Sequence, residues 1–123
     1  MASASSPDAA TEAQVAAAIA RCAAGERAAV RVIYDLEAAR MVGVARRILK
    51  RQDLAEEAVQ DCFMRVWRAA RSFDPQKGAA RSWLYTILRN CALSILRDEG
   101  RFVSDDEKIE DAAPATEDRK SHV

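Results

Sequence analysis

Two stretches of this chain carry apolar residues in paired rows at four-residue spacing, and that pattern narrows the accessible folds more than any other feature. In the first, Leu54, Ala58, Cys62 and Val66 run beside Ala55, Val59, Phe63 and Trp67. Residues four apart lie one above the other on an α-helix, so two adjacent rows make one broad buried face. The second runs from about Ala80 to Asp98, with Trp83, Leu84, Ile87, Leu88, Cys91, Ala92, Ile95 and Leu96 on its apolar face. Upstream, Val15, Ile19 and Cys22 give a helix from Thr11 that Gly25 would stop. From about Glu26 to Arg51, Val30, Ile33, Tyr34, Met41, Val44, Ala45, Ile48 and Leu49 keep a helical period, in one helix or two. The expected fold is all-α, a compact bundle of about four helices. Half of the 123 residues are apolar, and only 4 Gly and 3 Pro interrupt them. That composition fits one small globular domain and excludes collagen-like or broadly disordered chains.

Boundaries are marked by residue type. Asp53, with Glu56 three positions on, predicts a capping-box start to the third helix. The run Ser72–Ala79, SFDPQKGA, is a break: Pro75 pushes Asp74 out of the helical region, and Gly78 permits a left-handed or otherwise tight turn. Residues 1–10, rich in Ser and Ala, are expected to be a flexible N-terminus, with the helical domain over 11–100. Residues 101–123, with DDEKIEDAAPATED, are expected to form a disordered acidic tail. No apolar run nears the roughly 20 residues of a membrane span, and no charged-then-apolar leader opens the chain, so a cytoplasmic protein without membrane insertion is expected.

Formal net charge is zero, but unevenly distributed. Residues 1–39 carry −2, residues 40–101 carry +6 and residues 102–123 carry −4. A cationic middle between anionic ends makes a polyanion the first partner to consider, although a basic excess can also be plain solvated surface.

Catalytic constellations are absent from the pattern. The only His is His122, and Cys22, Cys62 and Cys91 are far apart with no C-x-x-C pair. No metal site or disulfide framework is expected, and the thiols read as small buried hydrophobes. There is no Ser/His/Asp set and no phosphate-cradling Gly-rich loop, and Glu56 and Glu57, being consecutive, diverge on a helix. No enzyme activity and no cofactor are expected.

What remains is a group of basic, aromatic and amide residues around the break and the fourth helix. Arg71, Phe73, Lys77, Arg81, Trp83 and Tyr85 lie at the break, and Arg89, Asn90 and Arg97 on the helix. Cations neutralise phosphates, aromatic rings stack on bases and amides read base edges. Phe73 and Trp83 could equally belong to the core, and Arg89 and Arg97 to solvent.

The segments Asp53-Leu-Ala-Glu-Glu-Ala-Val-Gln-Asp-Cys-Phe-Met-Arg-Val-Trp67, Phe73-Asp-Pro and Trp83-Leu-Tyr-Thr-Ile-Leu-Arg-Asn90 together resemble region 2 of bacterial sigma factors, in particular the compact extracytoplasmic-function (ECF) group. The resemblance covers roughly Arg31 to Gly100. It implies an all-helical promoter-recognition domain acting within RNA polymerase holoenzyme. The Asp53–Trp67 helix would meet the clamp helices of the largest polymerase subunit through Asp53, Glu56, Glu57, Gln60, Asp61, Arg65 and Arg68. The following loop would capture a flipped, single-stranded base of the promoter −10 element. Its matching residues run from Ser72 to Ser82 and include Ser72, Phe73, Lys77, Gly78, Arg81 and Ser82, with Arg71 as a further DNA-binding candidate just before them. The next helix would meet the upstream edge of the element through Trp83, Tyr85, Thr86, Arg89 and Asn90, with Arg97 further along. An anti-sigma factor is an implied regulatory partner.

The match has departures. Ala80 stands where many members carry an aromatic residue, and Thr86 where many carry Arg. After Gly100 the acidic stretch matches the family's interdomain linker, but the second, helix-turn-helix domain that reads the −35 element has no counterpart, so a fragment is expected. Two other readings compete. One is a helical adaptor or regulator-docking module without DNA contact. The other is a free-standing helix-turn-helix repressor, against which the SFDPQKGA break is too long and contains Pro75.

Overall fold

A computed structural model describes residues 7–104, with side chains described for 8–100. Four helices, α1 (Pro7–Ala23), α2 (Ala28–Leu49), α3 (Gln52–Ala69) and α4 (Ala80–Ser104), make up the bundle. Two short 3-10 turns, Ala70–Ser72 and Pro75–Lys77, lie between α3 and α4. The all-α expectation holds.

The second helical stretch is unbroken: α2 passes through Gly43 without interruption. Its buried residues Ala29, Ile33, Glu37, Met41, Ala45 and Leu49 recur at four-residue spacing, a single row that winds slowly around the helix. That row packs against the other three helices. The paired rows of α3 are buried as expected except Trp67, which sits half-buried at the rim. On α4, Leu84, Leu88, Cys91, Ala92 and Ile95 are buried, whereas Leu96 is 43% exposed. Tyr34, expected in the apolar face of α2, is 45% exposed.

Each boundary has a local chemical cause. Gly25, at φ 96°, closes α1: its N–H donates to the Cys22 carbonyl and that of Glu26 to the Arg21 carbonyl, the paired bonds of a Schellman cap. Lys50 ends α2 in a left-handed conformation (φ 66°), its N–H donating to the Arg46 carbonyl at 2.8 Å. Helix α3 starts one residue earlier than the expected Asp53 cap. Arg51 is the extended capping residue, and the Asp53 carboxylate lies in the first turn, where it accepts from the Arg51 guanidinium at 2.7 Å. No capping box forms there, because Glu56 instead accepts from Gln52 at 2.8 Å.

Helix α1 begins at Pro7, a residue suited to a first helical position, so the stretch expected to be flexible, 1–10, is helical over 7–10, and its residues 1–6 lie outside the described residues. At the other end α4 continues to Ser104, beyond the expected limit near Asp98. The expected tail is therefore helical over 101–104, and the rest of that expectation, 105–123, lies outside the described residues. Among the described residues, no helix is long and apolar enough to cross a membrane. All three thiols are buried; burial raises that of Cys22 and pushes that of Cys91 up to about 11, away from nucleophilic chemistry near neutrality.

Candidate nucleic-acid interface

The break before α4 is built from turns with few backbone options. The Asp74 carboxylate accepts from the Gln76 N–H at 2.9 Å, Pro75 opens the second 3-10 turn, and Gly78 follows at φ 156°, ψ 174°, a positive-φ conformation that L side chains rarely adopt. Gly78 thus uses the conformational freedom of glycine just before α4, although not in the left-handed helical region itself.

Ala79, which precedes α4, has no side chain able to cap a helix. The cap comes from α1: Glu12 accepts the N–H of Ala80 at 2.6 Å through Oε2 and that of Arg81 at 3.0 Å through Oε1. A carboxylate at a helix start satisfies orphan donors and complements the helix dipole. One turn on, Glu37 of α2 is almost fully buried, 1% exposed. Its Oε2 lies 2.7 Å from Nε of Arg81, and its Oε1 accepts from the Tyr85 hydroxyl at 2.7 Å. Asp8 of α1 adds a longer contact to Arg81 at 3.8 Å. Burial, with the bond to Glu37, pushes the Tyr85 phenol well above its usual range. The first turns of α4 are thus clamped by acids from two other helices.

Against those turns lies a cavity of about 290 Å³, lined among others by Ser72, Phe73, Lys77, Ser82, Trp83 and Thr86. Drug-sized ligands occupy about 300–1,000 Å³, so this space suits something the size of a single ring system. The Phe73 and Trp83 rings pack at 5.3 Å and 53°, half-buried: they seal the edge of the core and face the cavity as well. Lys77 is exposed at its rim.

Seven of the residues singled out from sequence, Ser72, Phe73, Lys77, Gly78, Ser82, Trp83 and Thr86, come together here. Asn90 and Arg97 do not line the cavity but share a face of α4 with Ser82 and Thr86 by helical period, a stripe that also bears Leu93, 41% exposed. Arg89 is exposed just beside that stripe, and Arg71 is exposed in the first 3-10 turn. Arg81 and Tyr85 point elsewhere, to Glu37. Their sequence neighbours are cavity residues, but a step of one position turns a helical side chain by about 100°.

The polar and charged residues of α3 divide in the same way. Asp53, Glu56, Gln60 and Arg68 are exposed; Glu57, Asp61 and Arg65 are half-buried. The hydrogen bond from Arg51 holds the Asp53 carboxyl below its usual range. Asp61 and Arg65 lie on the flank towards α4, close enough to act electrostatically on Cys91. Gln60 and Arg68 border a groove of about 720 Å³ between α2 and α3. There Arg27 lies over Trp67 at 5.3 Å and Arg31 over Tyr34 at 5.1 Å, beside Met64, which is 43% exposed. Met64 falls on the polar side of α3 by helical period, whereas reading by polarity alone missed Tyr34 and Trp67 as surface residues, because an apolar residue in or next to a buried row carries no sign of its exposure.

Comparison with known proteins follows the same motifs. Residues 33–102, more than half of the chain, match the family described as Sigma-70 region 2. The ECF RNA polymerase sigma factor SigK of Mycobacterium sp. (strain KMS) is 36% identical over 67 residues, which are 54% of this chain and 35% of that protein. SigK of Mycolicibacterium vanbaalenii is 39% identical over 66 residues, 54% of this chain and 34% of that protein. SigK of Mycobacterium tuberculosis (strain ATCC 25177 / H37Ra) is 35% identical over 79 residues, 64% and 42% respectively. The chain thus spans well under half the length of these relatives. No solved structure matches it.

Proposed function

The chain belongs to the sigma-70 region 2 family, and from that membership and the α4 cavity we propose that it is a promoter-recognition domain that captures one everted base of the −10 element while bound to RNA polymerase core. The family consists of non-enzymatic transcription-initiation factors. A polymerase partner would place its work in the cytoplasm.

The observation that carries the reading is the single-base-sized cavity beside Phe73 and Trp83, with Lys77 at its rim. Unstacking a base costs a few kcal/mol, and a pocket that stacks and hydrogen-bonds the base recovers it. Ser72, Ser82 and Thr86 bring hydroxyls to the cavity, but those of Ser72 and Thr86 donate to the Ala69 and Ser82 carbonyls, at 2.7 and 2.8 Å. Their oxygens therefore face a base as acceptors. Melting can then proceed without ATP, by selection of bases already exposed in thermal fluctuations. The outer stripe of α4, with Asn90 and Arg97, would follow the strand or duplex beyond the pocket.

On α3, we assign the polymerase contact to Glu56, Glu57, Gln60, Asp61 and Arg68, flanked by Asp53 and Arg65. The adjoining groove with Tyr34, Met64 and Trp67 supplies the exposed aromatic and Met surface typical of interface cores. An anti-sigma factor covering this surface would block polymerase.

Two measurements test the function. Purified core polymerase should retain the protein and lose it on combined charge reversal of Glu57 and Asp61. A pool of randomised single strands should yield a preferred sequence, and charge reversal at Lys77 and Arg89 should abolish strand binding without affecting polymerase. An adaptor without DNA contact would retain polymerase or another protein and select no strand.

A further inference from the structure

A second cleft adjoins the base cavity, and two of its lining residues, Arg40 and Val44 of α2, belong to no candidate site considered so far. It lies between α2 and α4, has a volume of about 280 Å³, and is lined by Arg40, Val44, Arg81, Ser82 and Tyr85. Ser82 lines both hollows, so only its small side chain and the adjacent helix surface separate them.

The electrostatics of this cleft are asymmetric. Arg81 is matched by Glu37 at 2.7 Å, so its charge is largely offset. Arg40 is exposed and has no ion pair among the described residues. The hydroxyl of Tyr85 is committed to Glu37, which leaves its ring, with Val44, as the apolar part of the lining. A cation above an apolar wall suits a phosphate with its attached sugar. The charge also continues away from the cavity. Helices α2 and α4 run in the same direction, since Glu37, midway along α2, meets Arg81 in the first turn of α4, and Arg51, just past the end of α2, meets Glu99 late in α4 at 3.7 Å. Arg47 lies on the α2 face of Arg40, and exposed Arg89 one turn beyond Tyr85 on α4.

We propose that the α2–α4 cleft is a phosphate seat for the strand, in which Arg40 holds the backbone of the nucleotide adjoining the captured base. The proposal rests on the base-capture reading and deepens it. A strand whose base enters the Phe73–Trp83 cavity crosses Ser82 and lays its next phosphate on Arg40. The seat is sequence-independent: it fixes the register of the strand, while the cavity reads the base.

The test uses the full 123-residue chain and the single strand that it selects from a randomised pool, labelled with fluorescein. R40Q removes the cation from an exposed position, and helical circular dichroism checks that the fold persists. Its affinity should fall about three- to fivefold, the scale of one solvent-accessible ion pair. The slope of log K against log salt should become shallower by about 0.7, the value for one phosphate on a single strand. Replacing the phosphates one at a time by neutral methylphosphonates should reveal a linkage whose neutralisation weakens the wild type but not R40Q. R46Q, the same loss of charge on another side of α2, should leave affinity and slope unchanged. If the wild type selects no strand, base capture itself fails, and the seat with it. If it selects a strand but R40Q matches the wild type in affinity and slope, or R46Q matches R40Q, the seat is overturned while base capture stands.

Discussion

The α2–α3 hairpin and the first turns of α4 are both helical, yet they are held in place by different means. The hairpin is local: a two-residue turn, Lys50 and Arg51, joins helices whose apolar rows face each other. The start of α4 is held from a distance, by Glu12 and Asp8 of α1 and Glu37 of α2. The difference shows how a small bundle can present a pocket at a helix start that its own sequence caps poorly. Hydrophobic burial sets the framework, and a few remote carboxylates set the position of Ser82 and Trp83 within it.

The largest effect that separates the two regions is expected at Glu37. Glu37→Ala leaves Arg81 and Tyr85 without their common partner and should destabilise the fold by about 3 kcal/mol in urea denaturation, the low end for a broken buried pair because Arg81 keeps 19% exposure. Ile33→Ala, in the same row of α2, should cost a comparable amount, about 2–5 kcal/mol. Strand affinity divides the two: below the unfolding transition it should drop for Glu37→Ala and persist for Ile33→Ala. Equal affinities would show that the clamp does not position the pocket.

Glu12→Ala should destabilise by about 1–2 kcal/mol, the range of a lost helix cap. It should also speed amide exchange at Ala80 and Arg81 while leaving exchange in α3 unchanged. Alkali should act next. The Tyr85 phenol and the Cys22 and Cys91 thiols keep their protons in the fold at pH values where the unfolded chain loses them. The unfolded state then binds fewer protons, so stability should fall as pH rises above about 8.5, the ordinary thiol range, and further past about 10 for the phenol. Tyr85→Phe should flatten the upper part of that profile, and an unchanged slope would count against the buried phenol. The smallest change belongs to the hairpin. A methyl group added at Gly43 meets nothing within 4 Å, so Gly43→Ala should stabilise by about 0.5–1 kcal/mol and leave strand binding alone.

The same division explains what could be read from sequence. The rows of α3 and α4 and the stop at Gly25 were legible because periodicity and turn chemistry act between near neighbours. The partners of Arg81 were not legible. Glu37 falls in register with Ile33 and Met41, but a carboxylate in an apolar row signals burial only once Arg81 and Tyr85 are known to lie opposite. Likewise Asp53 carries the signature of a cap, yet the adjacent guanidinium of Arg51 takes its carboxylate and the helix starts at Gln52. In the site, the sequence motif led to the cavity residues from Ser72 to Thr86 but grouped Arg81 and Tyr85 with them, because proximity along the chain hides a turn of helix. Arg40, over forty residues from Ser82 in sequence, shares a cleft with it only through the parallel packing of α2 and α4.

The central claim, that one base leaves its stack and enters the cavity beside Phe73 and Trp83, is tested most directly by an abasic scan. Each base of the selected single strand is removed in turn, and affinity is measured for the wild type and for Thr86→Trp, which fills the cavity from an exposed position. The account predicts one position whose loss costs the wild type about 1–3 kcal/mol and costs the plugged variant almost nothing. Small, even losses at every position, identical in both proteins, would contradict it.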